Sequence, residues 1–154
     1  IKFNSFEDVY LRRINLYCRT NKIKPLPIYI QKLTKIDENK LNSYGLSFKE
    51  SLRKLNHFLF DVNIIFVNGL DRDILIENCN YNKIIYPSYL KKFYNLRPVF
   101  SKFLKKKENK IISSELFKNN MTGLKPHTGL YDCYSIFNFI KQNFSRDVEK
   151  IKLT

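Results

Sequence analysis

The amino-acid sequence predicts an α/β fold in a globular domain, and three stretches carry that prediction. Ser47 and Glu50 stand at capping-box spacing ahead of Phe48, Leu52, Leu55 and Leu59, which share one helical face. Ile64-Ile65-Phe66-Val67 follows as a short continuous apolar run, the mark of a strand covered on both faces. Ile136, Phe139, Ile140 and Phe144 then recur at helical spacing further along the chain. With 154 residues, 44% of them hydrophobic, the chain is long enough to bury a core and has little room for a second full domain.

Taken in order, Ile1 to Phe6 and Val9 to Cys18 read as the two strands of an antiparallel hairpin. In the second, Ile14, Leu16 and Cys18 alternate with Asn15, Tyr17 and Arg19, although Arg12 and Arg13 interrupt the pattern. Thr20 to Pro27 is a loop, because Pro25 and Pro27 lack the N–H groups that regular structure needs. A short helical turn over Tyr29 to Leu33 follows. The capping box then opens a helix over about residues 48–60. His57 lies within it and takes no chemical role, since a lone histidine beside core-facing leucines packs or faces water.

The apolar strand ends in Asn68-Gly69, and Leu70-Asp71-Arg72-Asp73 begins the next helix. Ligands of open α/β sheets gather at such strand ends, which makes Asp71 and Asp73 candidate metal ligands. A purely local account serves equally well: Asp71 as helix N-cap and Asp73 as a favourable charge in the first turn. From Tyr81 to Phe103 aromatic and basic residues interleave, and Pro87 and Pro98 each mark the first turn of a short helix. Lys105-Lys106-Lys107 and Lys110 form an exposed loop. Ser113 or Ser114 caps a short helix running to about Asn120, and Gly123 opens a turn after it.

Twenty-eight Lys and Arg against fourteen Asp and Glu leave a net charge of +14, a field that attracts polyanions. Nucleic acid fits better than an acidic membrane. The cations alternate with Tyr and Phe rings that can stack on bases, and no basic amphipathic helix with a membrane-facing stripe is evident. Lys91, Lys92, Arg97, Lys105, Lys106 and Lys107 are the expected RNA contacts. No stretch reaches the roughly eighteen apolar residues of a membrane span, so no membrane partner is expected. Cys18, Cys79 and Cys133 are too few and too scattered for a disulfide framework or a zinc site. They read as buried thiols of an intracellular, reducing compartment, with cytosol, nucleus and mitochondrion undistinguished. There is no internal repeat and no Gly-rich phosphate loop. The first residue is Ile1 and not Met, so a longer parent chain is expected.

Chemistry concentrates in Lys125-Pro126-His127-Thr128-Gly129-Leu130-Tyr131-Asp132-Cys133, where a loop turns into the last apolar-striped helix. A neutral imidazole can take a proton from water near pH 7, and a carboxylate can hold the divalent ion that acidifies that water. Gly129 is expected to free the backbone between His127 and Asp132.

These residues resemble a known family. Asp71 after an apolar strand, followed by His127 and Asp132 in an H-x4-D arrangement, resembles the second and third motifs of the DEDDh 3'-5' exonucleases, the DnaQ-like group. Further detail is similar to the Eri family of RNA 3' exonucleases. Leu33-Thr34-Lys35-Ile36 resembles its L-T-G-I. Tyr86-Pro87 with Lys91-Lys92-Phe93-Tyr94-Asn95-Leu96-Arg97 resembles its P-x4-K-x-W-x-N-[IL]-[KR]. Pro126 to Cys133 resembles its [PH]-H-[CS]-G-[IL]-D-D-[CS].

The resemblance implies an RNase H-like three-layer fold, a mixed sheet flanked by helices, over residues 1–144, with 145–154 a charged C-terminal tail. It also implies removal of nucleotides from an RNA 3' end, with four carboxylates holding two magnesium ions. Asp132 would be a metal ligand, Asp71 the second-motif carboxylate with Asp73 in reserve, and His127 the general base. The family's first motif, D-x-E on the opening strand, has no counterpart here, because Ile1-Lys2-Phe3 resembles the strand after it. Gly69-Leu70-Asp71 lacks the family's tryptophan, Tyr131 replaces an acidic residue, and Phe93 stands where a tryptophan is usual. Two expectations follow: an exoribonuclease-like domain completed upstream, or a catalytically silent RNA-binding subunit of a large ribonucleoprotein such as an organellar ribosome. In either case this chain by itself is expected not to cleave RNA.

Overall fold

A computed structural model of the chain describes residues 12–19, 25–112, 116 and 125–144. Helices and strands alternate, an α/β arrangement in the coarse sense, and the chain divides into two compact units. One holds the described residues of 14–65 and 70–94; the other holds 12–13, 66–69 and those from 95 onward.

In the first unit, β1 (Tyr17–Cys18) pairs in parallel with β2 (Gly45–Leu46), Tyr17 opposite Gly45 and Cys18 opposite Leu46. The first strand of the expected antiparallel hairpin lies outside the described residues, and of its second strand, expected over Val9 to Cys18, the described part is strand at Tyr17–Cys18. Between these strands come α1 (Ile28–Thr34), which opens behind Pro27, and α2 (Glu38–Tyr44). Asp37 caps α2 by accepting from the Lys40 N–H at 2.8 Å. No residue of α2 is buried, so it leaves no apolar stripe in the sequence to announce it.

The predicted capping box is present at α3 (Phe48–Phe58). Ser47 Oγ accepts from the Glu50 N–H at 3.3 Å, and the Glu50 carboxylate accepts from the Ser47 N–H at 3.0 Å. Two of the orphan donors of the first turn are thereby satisfied. On its inner face Leu52 joins Cys79, Tyr89 and Leu90 in a buried cluster, with Phe48, Leu55, Leu59, Ile65, Leu75, Ile76, Ile84 and Phe93 packed around it. Cys79, Leu75 and Ile76 belong to α4 (Asp71–Tyr81), and Tyr89 and Leu90 to a 3-10 helix over Ser88–Lys92 that starts after Pro87.

β3 (Ile65–Val67) and β4 (Phe93–Asn95) form the second sheet, and the Leu96 N–H extends the pairing with a 2.8 Å bond to the Val67 carbonyl. All three β3 residues are half-buried, which corrects the expectation of a strand covered on both faces. Among the described residues the strands thus make two two-stranded sheets, each strand two or three residues long, where a larger mixed sheet was expected.

The second unit packs α5 (Arg97–Leu104), with Pro98 in its first turn, and α6 (Gly129–Phe144). Phe100 and Phe103 both meet the Phe139 ring edge-on, at 5.1 and 5.4 Å between centroids, an arrangement aromatic quadrupoles favour. Leu96, Phe100 and Ile140 are the most deeply buried apolar side chains there. The α6 stripe is wider than predicted: Tyr131, Ser135 and Phe137 are buried with Phe139 and Ile140, while Ile136 and Phe144 are half-buried. Leu116 is buried and helical, but the caps expected at Ser113 or Ser114, the end at Asn120, the turn at Gly123 and the tail 145–154 lie outside the described residues.

Candidate functional site

The geometry of the His127 stretch is set by a tight turn that runs directly into α6. The Lys125 carbonyl accepts from both the Thr128 N–H at 3.3 Å and the Thr128 hydroxyl at 2.7 Å, and the Asp132 N–H bonds the Thr128 carbonyl at 3.0 Å. His127 sits at the bend with a left-handed φ of 63° and an exposed side chain. The expectation that Gly129 supplies the conformational freedom of this turn is corrected. Gly129 is the first helical residue with open space around it, and the uncommon backbone state falls on His127.

Asp132 lies in the first turn of α6, where the helix dipole favours an acid. Its half-buried carboxylate is pushed above the ordinary aspartate range by burial, opposed by the charge of His127 and a bond from the His127 backbone N–H. One of its oxygens, Oδ1, is buried with no hydrogen-bond partner. A buried lone pair without a donor is costly unless a proton or a cation completes it. His127 and Asp132 are thus brought together, through the backbone of one and the side chain of the other.

Asp71 and Asp73 belong to the other unit. Leu70, not Asp71, occupies the N-cap of α4; Asp71 and Asp73 are exposed acids of its first turn, and Asp73 pairs with Arg72 at 3.6 Å. The helix dipole accounts for both positions. Within neither unit do three or more His, Cys, Asp or Glu side chains of the described residues gather as a metal-holding group.

The six cations expected to contact RNA divide in two. Lys92 donates from Nζ to the Val62 carbonyl at 2.5 Å, and Arg97 donates from Nη2 to the Asn68 carbonyl at 3.0 Å. These two brace the fold. Lys91, Lys105, Lys106 and Lys107 are exposed. Sequence reasoning missed a further row on α3, where Lys49, Arg53 and His57 repeat every four residues, all exposed and to one side of the buried face, with exposed Lys54 beside them. The signal was the same period that revealed the apolar face, read beside it on the wheel. Glu50 offsets part of this charge: its carboxylate is held below its ordinary range, first by the Ser47 hydroxyl and N–H, then by Arg19 and Arg53.

Among the described residues no helix is long and apolar enough to cross a membrane. No protein-family model matches the chain, and no curated protein matches it.

Proposed function

We propose that this chain is an RNA-binding domain of the Eri-like, DEDDh 3'-5' exoribonuclease type, with an RNase H-like ancestry to its fold and one corner of the exonuclease site retained at His127 and Asp132. The observation that carries the reading is the Asp132 carboxylate, half-buried at a helix start with an unpartnered oxygen and tied to His127. A +14 charge supplies the affinity for the substrate class.

Asp132 would be the metal ligand of this corner, and a bound magnesium ion would acidify water and stabilise charge on a phosphate oxygen. The exposed His127 imidazole would be the general base that takes a proton from the attacking water. Lys91 and the Lys105 to Lys107 loop offer point charges to a phosphate backbone, and on α3 Lys49 and Arg53 offer cations about 6 Å apart along the helix axis. A second reading, a catalytically silent RNA-binding subunit of a ribonucleoprotein, is favoured by one observation. Asp71 and Asp73 are accounted for as first-turn charges of α4.

The test is trimming of a 3'-labelled single-stranded RNA with magnesium or manganese, alongside RNA binding without metal, for the chain and its His127→Ala and Asp132→Ala variants. Binding without trimming is the expected result for this chain alone. Trimming lost in both variants would establish a complete enzyme, and absence of RNA binding would overturn the proposal.

A further inference from the structure

The outer face of α4 has a character unlike the rest of the chain. Leu75, Ile76 and Cys79 turn one side of this helix into the core. On the opposite side Leu70 is 62% exposed, Ile74 55% and Tyr81 62%. At 100° per residue these three fall within a narrow stripe, and Ile85, 92% exposed, and Tyr86 follow where the chain folds back over the end of the helix. A helix that is apolar on both sides is normally covered on both.

The borders of this stripe are acidic. Asp73 and Glu77 run along one edge, Asp71 lies toward the other, and with Arg72 they give α4 a net charge of −2 within a chain of +14. We infer that the outer face of α4 is a docking site for a basic protein that presents an apolar ridge flanked by Lys or Arg. Charge selects this occupant. Phosphates of an RNA would be repelled by Asp71, Asp73 and Glu77, and α4 against α4 of a second copy would set acid against acid. A cationic, apolar surface gains on both counts, through burial of Leu70 and Ile74 and through complementary rims. This inference does not depend on the chain being exonuclease-like.

The probe is a labelled amphipathic Leu/Lys helical peptide, followed by fluorescence anisotropy, with an equally charged peptide carrying Ser in place of Leu as control. The net charge of +14 disfavours non-specific binding of cationic peptides, and the α4 variants tie binding to this face. The Leu/Lys peptide is expected to bind, the Ser control not to. Ile74→Asn and Glu77→Lys are each expected to weaken binding on the order of tenfold, while RNA affinity stays within about twofold. Glu77→Lys alters an exposed side chain only, so it remains informative if Ile74→Asn fails to fold. Equal binding of both peptides, no binding, or binding indifferent to Glu77→Lys would overturn the inference. Sedimentation showing a dimer that Ile74→Asn dissociates would also overturn it, in favour of a second copy as occupant.

Discussion

Asp132 carries the sharpest residue-scale consequence, because burial raises the pKa of its carboxyl while the unfolded chain titrates near the ordinary value. The folded state therefore holds its proton to higher pH than the unfolded state. Stability linked to this group is full below the unfolded pKa of about 4 and is lost as pH rises through the raised folded value. At neutral pH the ionised side chain is a liability that the fold tolerates, and Asp132→Asn is expected to be at least as stable as the parent there. The advantage of the variant should shrink as pH falls toward about 4 and level off below it, where the parent carboxyl is protonated in both states. Urea denaturation of both proteins across this range checks it; a parent that gains relative stability on going from pH 4 to 7 would contradict the direction. Such tolerance of a buried, incompletely bonded carboxylate is what a ligand-binding position requires. The left-handed backbone of His127 beside it adds a second local cost at the same turn.

At the scale of elements, the turn from β3 toward α4 is held by one side-chain clamp. Asn95 Oδ1 accepts from both the Gly69 and Arg97 N–H groups at 3.0 Å, and the Arg97 guanidinium lies over Gly69 while bonding the Asn68 carbonyl. Asn95 and Arg97 are among the residues that resemble the exonuclease family, and here their work is structural. Gly69 has a φ of 136°, which L side chains rarely adopt, and an added Cβ would stand 2.8 Å from Arg97 Nη2. Gly69→Ala is expected to cost about 1–3 kcal/mol, measured by urea unfolding. Most of that cost should persist in an Arg97→Ala background, since the backbone strain remains after the flexible guanidinium is gone. A cost that vanishes with Arg97 would assign the effect to crowding instead.

At the scale of the whole molecule, the +14 field makes salt the controlling variable for nucleic-acid binding. Joint Lys105→Ala, Lys106→Ala and Lys107→Ala substitution is expected to lower the log–log salt slope for a single-stranded RNA by about 2, at about 0.7 for each phosphate no longer neutralised. Lys92→Ala and Arg97→Ala should instead lower thermal stability, because those cations hold the Val62 and Asn68 carbonyls. Unchanged affinity and slope after the triple substitution would place the RNA elsewhere, with the α3 row of Lys49, Arg53 and His57 the next surface to test by the same measurement.

The sequence by itself determined the features that arise from groups within about four residues of one another. The capping box at Ser47 and Glu50, the helical stripe of α3, the prolines that open the 3-10 helix and α5, and the helix through Phe139 and Ile140 all rest on such local interactions, as does the net charge on composition alone. The tertiary structure decided what depends on distant partners. β1 pairs in parallel with β2 because residues far along the chain meet it, and Lys92 and Arg97 lose their place as simple surface cations to carbonyls 30 and 29 residues away. The apolar outer face of α4 could not be told from its core face by periodicity, since both read as hydrophobic. Nor could spacing say that the left-handed residue is His127 or that one Asp132 oxygen is buried without a donor. Those outcomes follow from which surfaces pack together and exclude water, a global balance that no short window of sequence contains.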